Sequence, residues 1–187
     1  MVIKVLAPIA VTGLLLSATM GPTQAIAQQV VLAQDSSFIQ TAGSLGLLQV
    51  KLGKLAEKKG SSSVVRDFAR RMEADYSKVN EELAAGAKQA AYPAPVMLRQ
   101  HKQVLERFVS MGRSSFDKNY MAEMVSDHGE AVHLFQQESE NGRVASLKQL
   151  ASTTLPTVQQ HLALATQTAS SVGADVTAST SRERQGS

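Results

Sequence analysis

Val65, Phe68, Met72, Tyr76, Val79 and Leu83 advance along the chain by steps of three or four residues. That spacing puts all six on one face of a helix, and an apolar face must be buried against something. Three further stretches carry the same signature. Phe38, Leu45 and Leu52 recur every seven residues, with Leu48 and Leu55 filling the alternate spacing. Phe116, Tyr120, Met124, His128, Ala131 and Phe135 form another stripe, and Leu147, Leu150, Leu155, Val158, His161, Leu162 and Ala165 the last. No run alternates apolar and polar residues as a half-buried strand would. The sequence therefore predicts an all-α protein, and its short connections predict an up-down-up-down four-helix bundle.

Proline and glycine mark the boundaries. The first helix is predicted from Ser36 or Ser37 to Lys59, with Gly60 as its stop and residues 28–35 as a linker before it. Gly43, Gly46 and Gly53 lie inside that helix, each at a cost of about 1 kcal/mol relative to alanine. Close approach of another helix at those points would explain them; a tendency to fray is the alternative. Ser61-Ser62-Ser63 offers an N-cap for the second helix, which ends near Ala91 before Tyr92-Pro93-Ala94-Pro95. A third helical stretch starts near Val96, breaks around Gly112, restarts with Ser114 or Ser115 as cap and closes at Asn141-Gly142. The fourth contains Pro156, which is expected to kink it. The bundle spans residues 36–172, and the small, polar segment 173–187 is predicted to be a disordered tail.

Residues 1–27 read as a secretory leader. Lys4 supplies the positive start, Val5 to Ala18 is apolar or small throughout, and Ala25-Ile26-Ala27 has the small-x-small pattern of a cleavage site. The apolar run is short for a membrane span, which needs about 20 residues. The predicted destination is the periplasm, with at most peripheral membrane contact. There is no cysteine, which removes disulfides, thiolate metal sites and cysteine nucleophiles. A formal charge of +3 without a basic cluster gives no footprint for nucleic acid. Lys51, Lys54, Lys58 and Lys59 gather where the first helix ends and suit the negative end of its dipole.

Helical bundles build sites from polar side chains that point inward. The candidates are Gln49 on the first helix, Asp75 and Tyr76 on the second, Tyr120 and His128 on the third, and His161 on the fourth. One reading is a metal site in which His128 and His161 donate nitrogen and Asp75 oxygen. The other is a hydrogen-bonded interior network that fixes helix register, with no cofactor. A carboxylate-rich di-iron centre needs Glu-x-x-His on two helices, but Val125 and Val158 stand three residues before the two histidines. Ser126 and Ser139 lie near His128 without a nucleophile elbow, and no glycine-rich phosphate loop occurs. His101 and His133 are predicted to be surface residues. Histidines buried in their neutral form would make stability fall as pH falls.

Several short motifs, in order along the four helices, resemble the ferritin-like domain-of-unknown-function family 4142. They are Leu52-Gly53-Lys54-Leu55-Ala56, Val65-Arg66-Asp67-Phe68-Ala69, Met72-x-x-Asp75, Phe116-Asp117-x-x-Tyr120, His128, Leu134-Phe135, and Leu155-Pro156 followed by His161. The resemblance runs from about Phe38 to Ala165 and implies an exported, ferritin-like bundle with no agreed activity. The family commonly has an acidic residue near Gln49 and a histidine where Tyr76 stands; here an amide and a phenol replace those stronger ligands. Exported helical chains of this kind are also similar to the small subunit of quinone-dependent alcohol dehydrogenase complexes. The first functional expectation is accordingly a non-enzymatic accessory or scaffolding subunit with a protein partner in the bacterial envelope. The alternative is a metal-binding or redox-stress bundle using His128, His161 and Asp75.

Overall fold

The computed structural model describes residues 22–176. They form five helices: α1 (Pro22–Lys59), α2 (Ser63–Gln89), α3 (Arg99–Ser110), α4 (Arg113–Asn141) and α5 (Ala145–Ser171). There is no strand among the described residues, so the protein is all-α, with five helices rather than the expected four. α1 packs against α2 and α4, α5 packs against α4 and α2, and α3 lies along α1.

The predicted third stretch is two separate helices. Met111 and Gly112 are both extended, with ψ 137° and 152°, and that interrupts the hydrogen-bond ladder completely. The freed carbonyls at the end of α3 are taken up from another helix. Lys59 Nζ donates to the carbonyl oxygens of Phe108 (3.2 Å), Val109 (2.5 Å) and Met111 (2.9 Å). Lys59 thus serves the negative end of α3 as well as its own helix.

α1 starts well before Ser36. Pro22 occupies the first helical position, where its missing amide costs nothing. Residues 28–35, predicted as a linker, are therefore helical. Asp35 continues the buried stripe in phase with Phe38 and Ala42, which ties this added length to the core. Most of the leader, residues 1–21, and most of the tail, 177–187, lie outside the described residues. No described helix is long and apolar enough to cross a membrane.

The apolar stripes bury as their spacing requires. Phe38, Leu45, Leu48 and Leu52 of α1 meet Val65, Phe68, Met72 and Leu83 of α2, and Phe116, Met124 and Phe135 of α4, in one core. The glycines of α1 mark close approach. A Cβ on Gly53 would stand 2.9 Å from the carbonyl oxygen of Ala69, one on Gly43 would overlap the ring of Pro95, and one on Gly46 would overlap the side chain of Asn80. Gly53 meets backbone, which cannot swing aside. Gly53→Ala is therefore expected to destabilise the protein by about 1–2 kcal/mol, although alanine is the better helix former. Urea denaturation followed by circular dichroism measures this, and a stabilised variant would contradict the contact.

α5 continues through Pro156 as one helix. Pro156 deprives the carbonyl of Ser152 of its partner, and both residues lie on the exposed side of the helix. Neither α2 nor α5 starts with a side-chain cap of its own. A carboxylate from a distant helix takes that place in each. Asp117 of α4 accepts the amides of Ser61 (3.1 Å) and Ser62 (2.8 Å). Asp35 of α1 accepts those of Arg143 (3.0 Å) and Val144 (3.1 Å). The predicted caps at Ser114 and Ser115 are absent, since Gly112 is the capping residue of α4.

Candidate functional site

His128 of α4 and His161 of α5 occupy apolar stripes that face each other, and both are buried. Their ring centroids lie 5.7 Å apart at 88°. Tyr76 of α2 closes a triangle, 5.6 Å from His128 and 5.7 Å from His161. Phe68 flanks it, with its centroid 6.1 Å from that of His128. The three polar rings thus meet edge-on or tilted, with Met72, Met124 and Phe68 buried on the same helical faces.

The hydrogen bonds decide which ring nitrogens carry protons. His128 Nδ1 lies 2.7 Å from the carbonyl oxygen of Met124, one turn earlier in α4. A carbonyl only accepts, so Nδ1 bears the hydrogen and Nε2 keeps a lone pair. His161 Nε2 lies 2.9 Å from Asp75 Oδ2. The carboxylate likewise accepts from Nε2, which leaves the lone pair on His161 Nδ1. Both of those lone-pair nitrogens are buried and have no hydrogen-bond partner, and neither has the Tyr76 hydroxyl.

Burial opposes charging of either ring. It holds the His128 pKa down to about 4, against the opposing hydrogen bond to Met124, and the neighbouring His161 lowers it further. His161 is lowered as well; burial outweighs the raising effect of its bond to Asp75. At neutral pH the pair presents two uncharged imidazoles. Burial, with the charges of Asp127 and Asp75, pushes the Tyr76 phenol well above its ordinary value, so it keeps its proton.

A second polar pair sits on the α1–α4 side. Gln49 Nε2 donates to Asp127 Oδ2 at 2.7 Å, and both side chains are buried. Desolvation raises the Asp127 pKa well above the usual carboxylate range despite the Gln49 bond. Tyr120 stacks on Phe116 at 5.7 Å and 13°, and its hydroxyl also lacks a partner.

The six residues singled out in the sequence therefore divide. Tyr76, His128 and His161 come together; Asp75 joins them only through His161. Its side chain is 29% exposed, and Arg71 approaches it at 3.5 Å. Asp75 is thus placed to orient an imidazole, and it does not stand as a third donor beside two nitrogens. Among the described residues, no group of three or more His, Asp or Glu side chains is arranged to hold a metal ion. Gln49 and Tyr120 belong to the neighbouring Asp127 layer.

His133 is exposed, as predicted, but His101 is buried, with Nδ1 2.6 Å from Ser44 Oγ. Ser44 also accepts the amide of Leu98 at 2.7 Å and so fixes the start of α3 on α1. The sequence reading missed Asp35, Asp127 and Glu138, all buried. Each is in phase with an apolar stripe: Asp35 three before Phe38, Asp127 three after Met124, Glu138 three after Phe135. An acidic residue at a core position was the available signal.

A family model described as a domain of unknown function (DUF4142) matches residues 20–168. No curated protein and no solved structure matches the chain.

Proposed function

The chain belongs to the DUF4142 family, a domain of unknown function, and on that footing we propose a ferritin-like helical binding protein of the periplasm, not an enzyme, that holds one metal ion between His128 and His161. The observation that carries this reading is the pair of buried, unpartnered ring nitrogens. A metal-ligating histidine characteristically donates its other N–H to a carboxylate or a backbone carbonyl, which fixes the tautomer and aims the lone pair. Asp75 does this for His161 and Met124 does it for His128. A register-setting network would be expected to satisfy its own members, because an unpaired polar atom in a core costs about 1–3 kcal/mol. The accessory-subunit expectation draws on the leader and the resemblance alone; the interior geometry favours binding.

The test is to load the purified protein in turn with zinc(II), cobalt(II), copper(II) and copper(I), remove unbound ion and analyse the metal content. About one equivalent per chain of at least one ion is expected. It should be lost in His128→Ala and in His161→Ala, while the metal-free variants keep their helical circular dichroism. Retention below about a tenth of an equivalent for every ion would retire the reading, since a built site holds its ion tightly.

A further inference from the structure

We infer that the ion suited to this interior is monovalent copper(I), held in two-coordinate fashion by His128 Nε2 and His161 Nδ1. This rests on the metal-binding reading above and names its ligand.

The donor set points to that choice. Two ring nitrogens carry free lone pairs, and among the described residues no third histidine or carboxylate joins them. Zinc(II) is almost always four-coordinate, and calcium(II) and magnesium(II) take six or more oxygen ligands, so two nitrogens leave each of them short. A closed-shell monovalent copper ion is satisfied by two nitrogens in line; imidazole is a borderline donor that copper accepts, and thioethers are the soft ligands that select its monovalent state. Met72 and Met124 are fully buried one turn before Tyr76 and His128 on the same helical faces, which brings thioethers into this part of the core.

Charge points the same way. The cost of moving an ion from water into a low-dielectric interior grows as the square of its charge, so a dication costs about four times as much as a monocation. Each imidazole donates its proton from one ring nitrogen and offers a lone pair from the other, so neither ligand brings a negative charge. The nearest countercharge is the carboxylate of Asp75, one hydrogen bond behind His161, and Arg71 lies 3.5 Å from that carboxylate. A single, partly offset negative charge matches one positive charge better than two.

The experiment is an anaerobic competition between the metal-free full chain and a chromophoric copper(I) chelator such as bathocuproine disulfonate, with copper(I) supplied as its acetonitrile complex. Parallel titrations use zinc(II) and cobalt(II). One copper(I) per chain is expected, bound at least 100-fold more tightly than either dication. His128→Ala and His161→Ala should each weaken copper(I) binding by about 100-fold or more, at or above the upper end of what losing an outer-shell partner costs. Histidine ¹⁵N spectra of the wild-type chain give a readout that needs no variant to fold. Silver(I) should shift His128 Nε2 and His161 Nδ1 and leave His133 unmoved. Zinc(II) or cobalt(II) bound as tightly through the same histidines overturns the copper(I) assignment and leaves the metal-binding reading standing. So does copper(I) binding that survives both substitutions, if a dication still occupies the pair. If no ion binds, both fall.

Discussion

Asp35→Ala is expected to lower the unfolding free energy at pH 7 by about 2–4 kcal/mol, the largest effect of any single substitution considered. Asp35 is completely buried, and its two carboxylate oxygens accept the amides of Arg143 and Val144 where α5 begins. Hydrogen bonds to a charged acceptor contribute about 1.5–3 kcal/mol each, and a negative charge at a helix N-terminus adds to them. Alanine removes both contributions and orphans both amides. One effect works the other way: the charge of Asp35 opposes ionisation of Glu138, and that repulsion disappears with it. Asp35→Asn keeps an acceptor without the charge and should lose about half as much. Urea denaturation of the three proteins measures the series; an alanine variant within about 0.5 kcal/mol of wild type would show that the cap carries little.

Glu138→Gln is expected to stabilise the protein by about 2 kcal/mol at pH 8 and by only about 1 kcal/mol at pH 5. Glu138 is buried beside Asp35, and its protonated carboxyl is favoured by a side-chain hydrogen bond to that residue. Desolvation first, then the charge of Asp35, pushes its pKa up to about 7; Lys148 pulls the other way, and Tyr92 lies close to both carboxyls. In the unfolded chain the same group titrates near 4.3. Between those values the folded protein binds more protons, so stability is lost as pH rises from about 4.3 through 7. The full shift corresponds to about 4 kcal/mol, and dielectric screening leaves about 2 of it as the expected effect.

His128 has the opposite sign. Its folded pKa of about 4 lies below the unfolded value near 6.5, so its contribution is complete above pH 6.5 and is lost as pH falls toward 4. From pH 7 to pH 5 the metal-free protein gives up about 2 kcal/mol through His128, and Glu138 returns about 1 kcal/mol. The wild-type profile over that window should fall less steeply than His128 alone would make it, with Asp127 acting in the direction of Glu138 and His101 and His161 in that of His128. Glu138→Gln removes the counterweight and exposes the histidine slope. Thermal unfolding of both proteins at half-unit steps from pH 5 to pH 8 tests the account, and parallel curves would contradict it.

The apolar stripes carried most of the fold, because a period of three or four needs only the residues themselves. The same stripes placed His128, His161 and Tyr76 indoors and together. What escaped the sequence depends on contacts between distant segments. Gly112 suggested a break, but the three carbonyls that Lys59 satisfies belong to a helix some fifty positions away. Pro156 was legible as a residue inside the last helix, and its exposed position lets water take the carbonyl it leaves unpaired. Asp75 was legible as a neighbour of the histidines; its role turns on which imidazole nitrogen it meets. Asp35, Asp127 and Glu138 were not singled out in the sequence; charged residues in phase with a core are rare, and only the packing of distant segments shows that these three are buried.

Asp117 and Asp35 each begin a helix to which they do not belong, and this bears on how the molecule comes apart. The start of α2 is secured only when α4 has arrived, and the start of α5 only when α1 has. Neither the α1–α2 half nor the α4–α5 half carries its own full set of terminal contacts. Amide-exchange protection at these two helix starts should therefore be set by opening between the halves, so that the chain unravels as one cooperative unit and not as two independent hairpins.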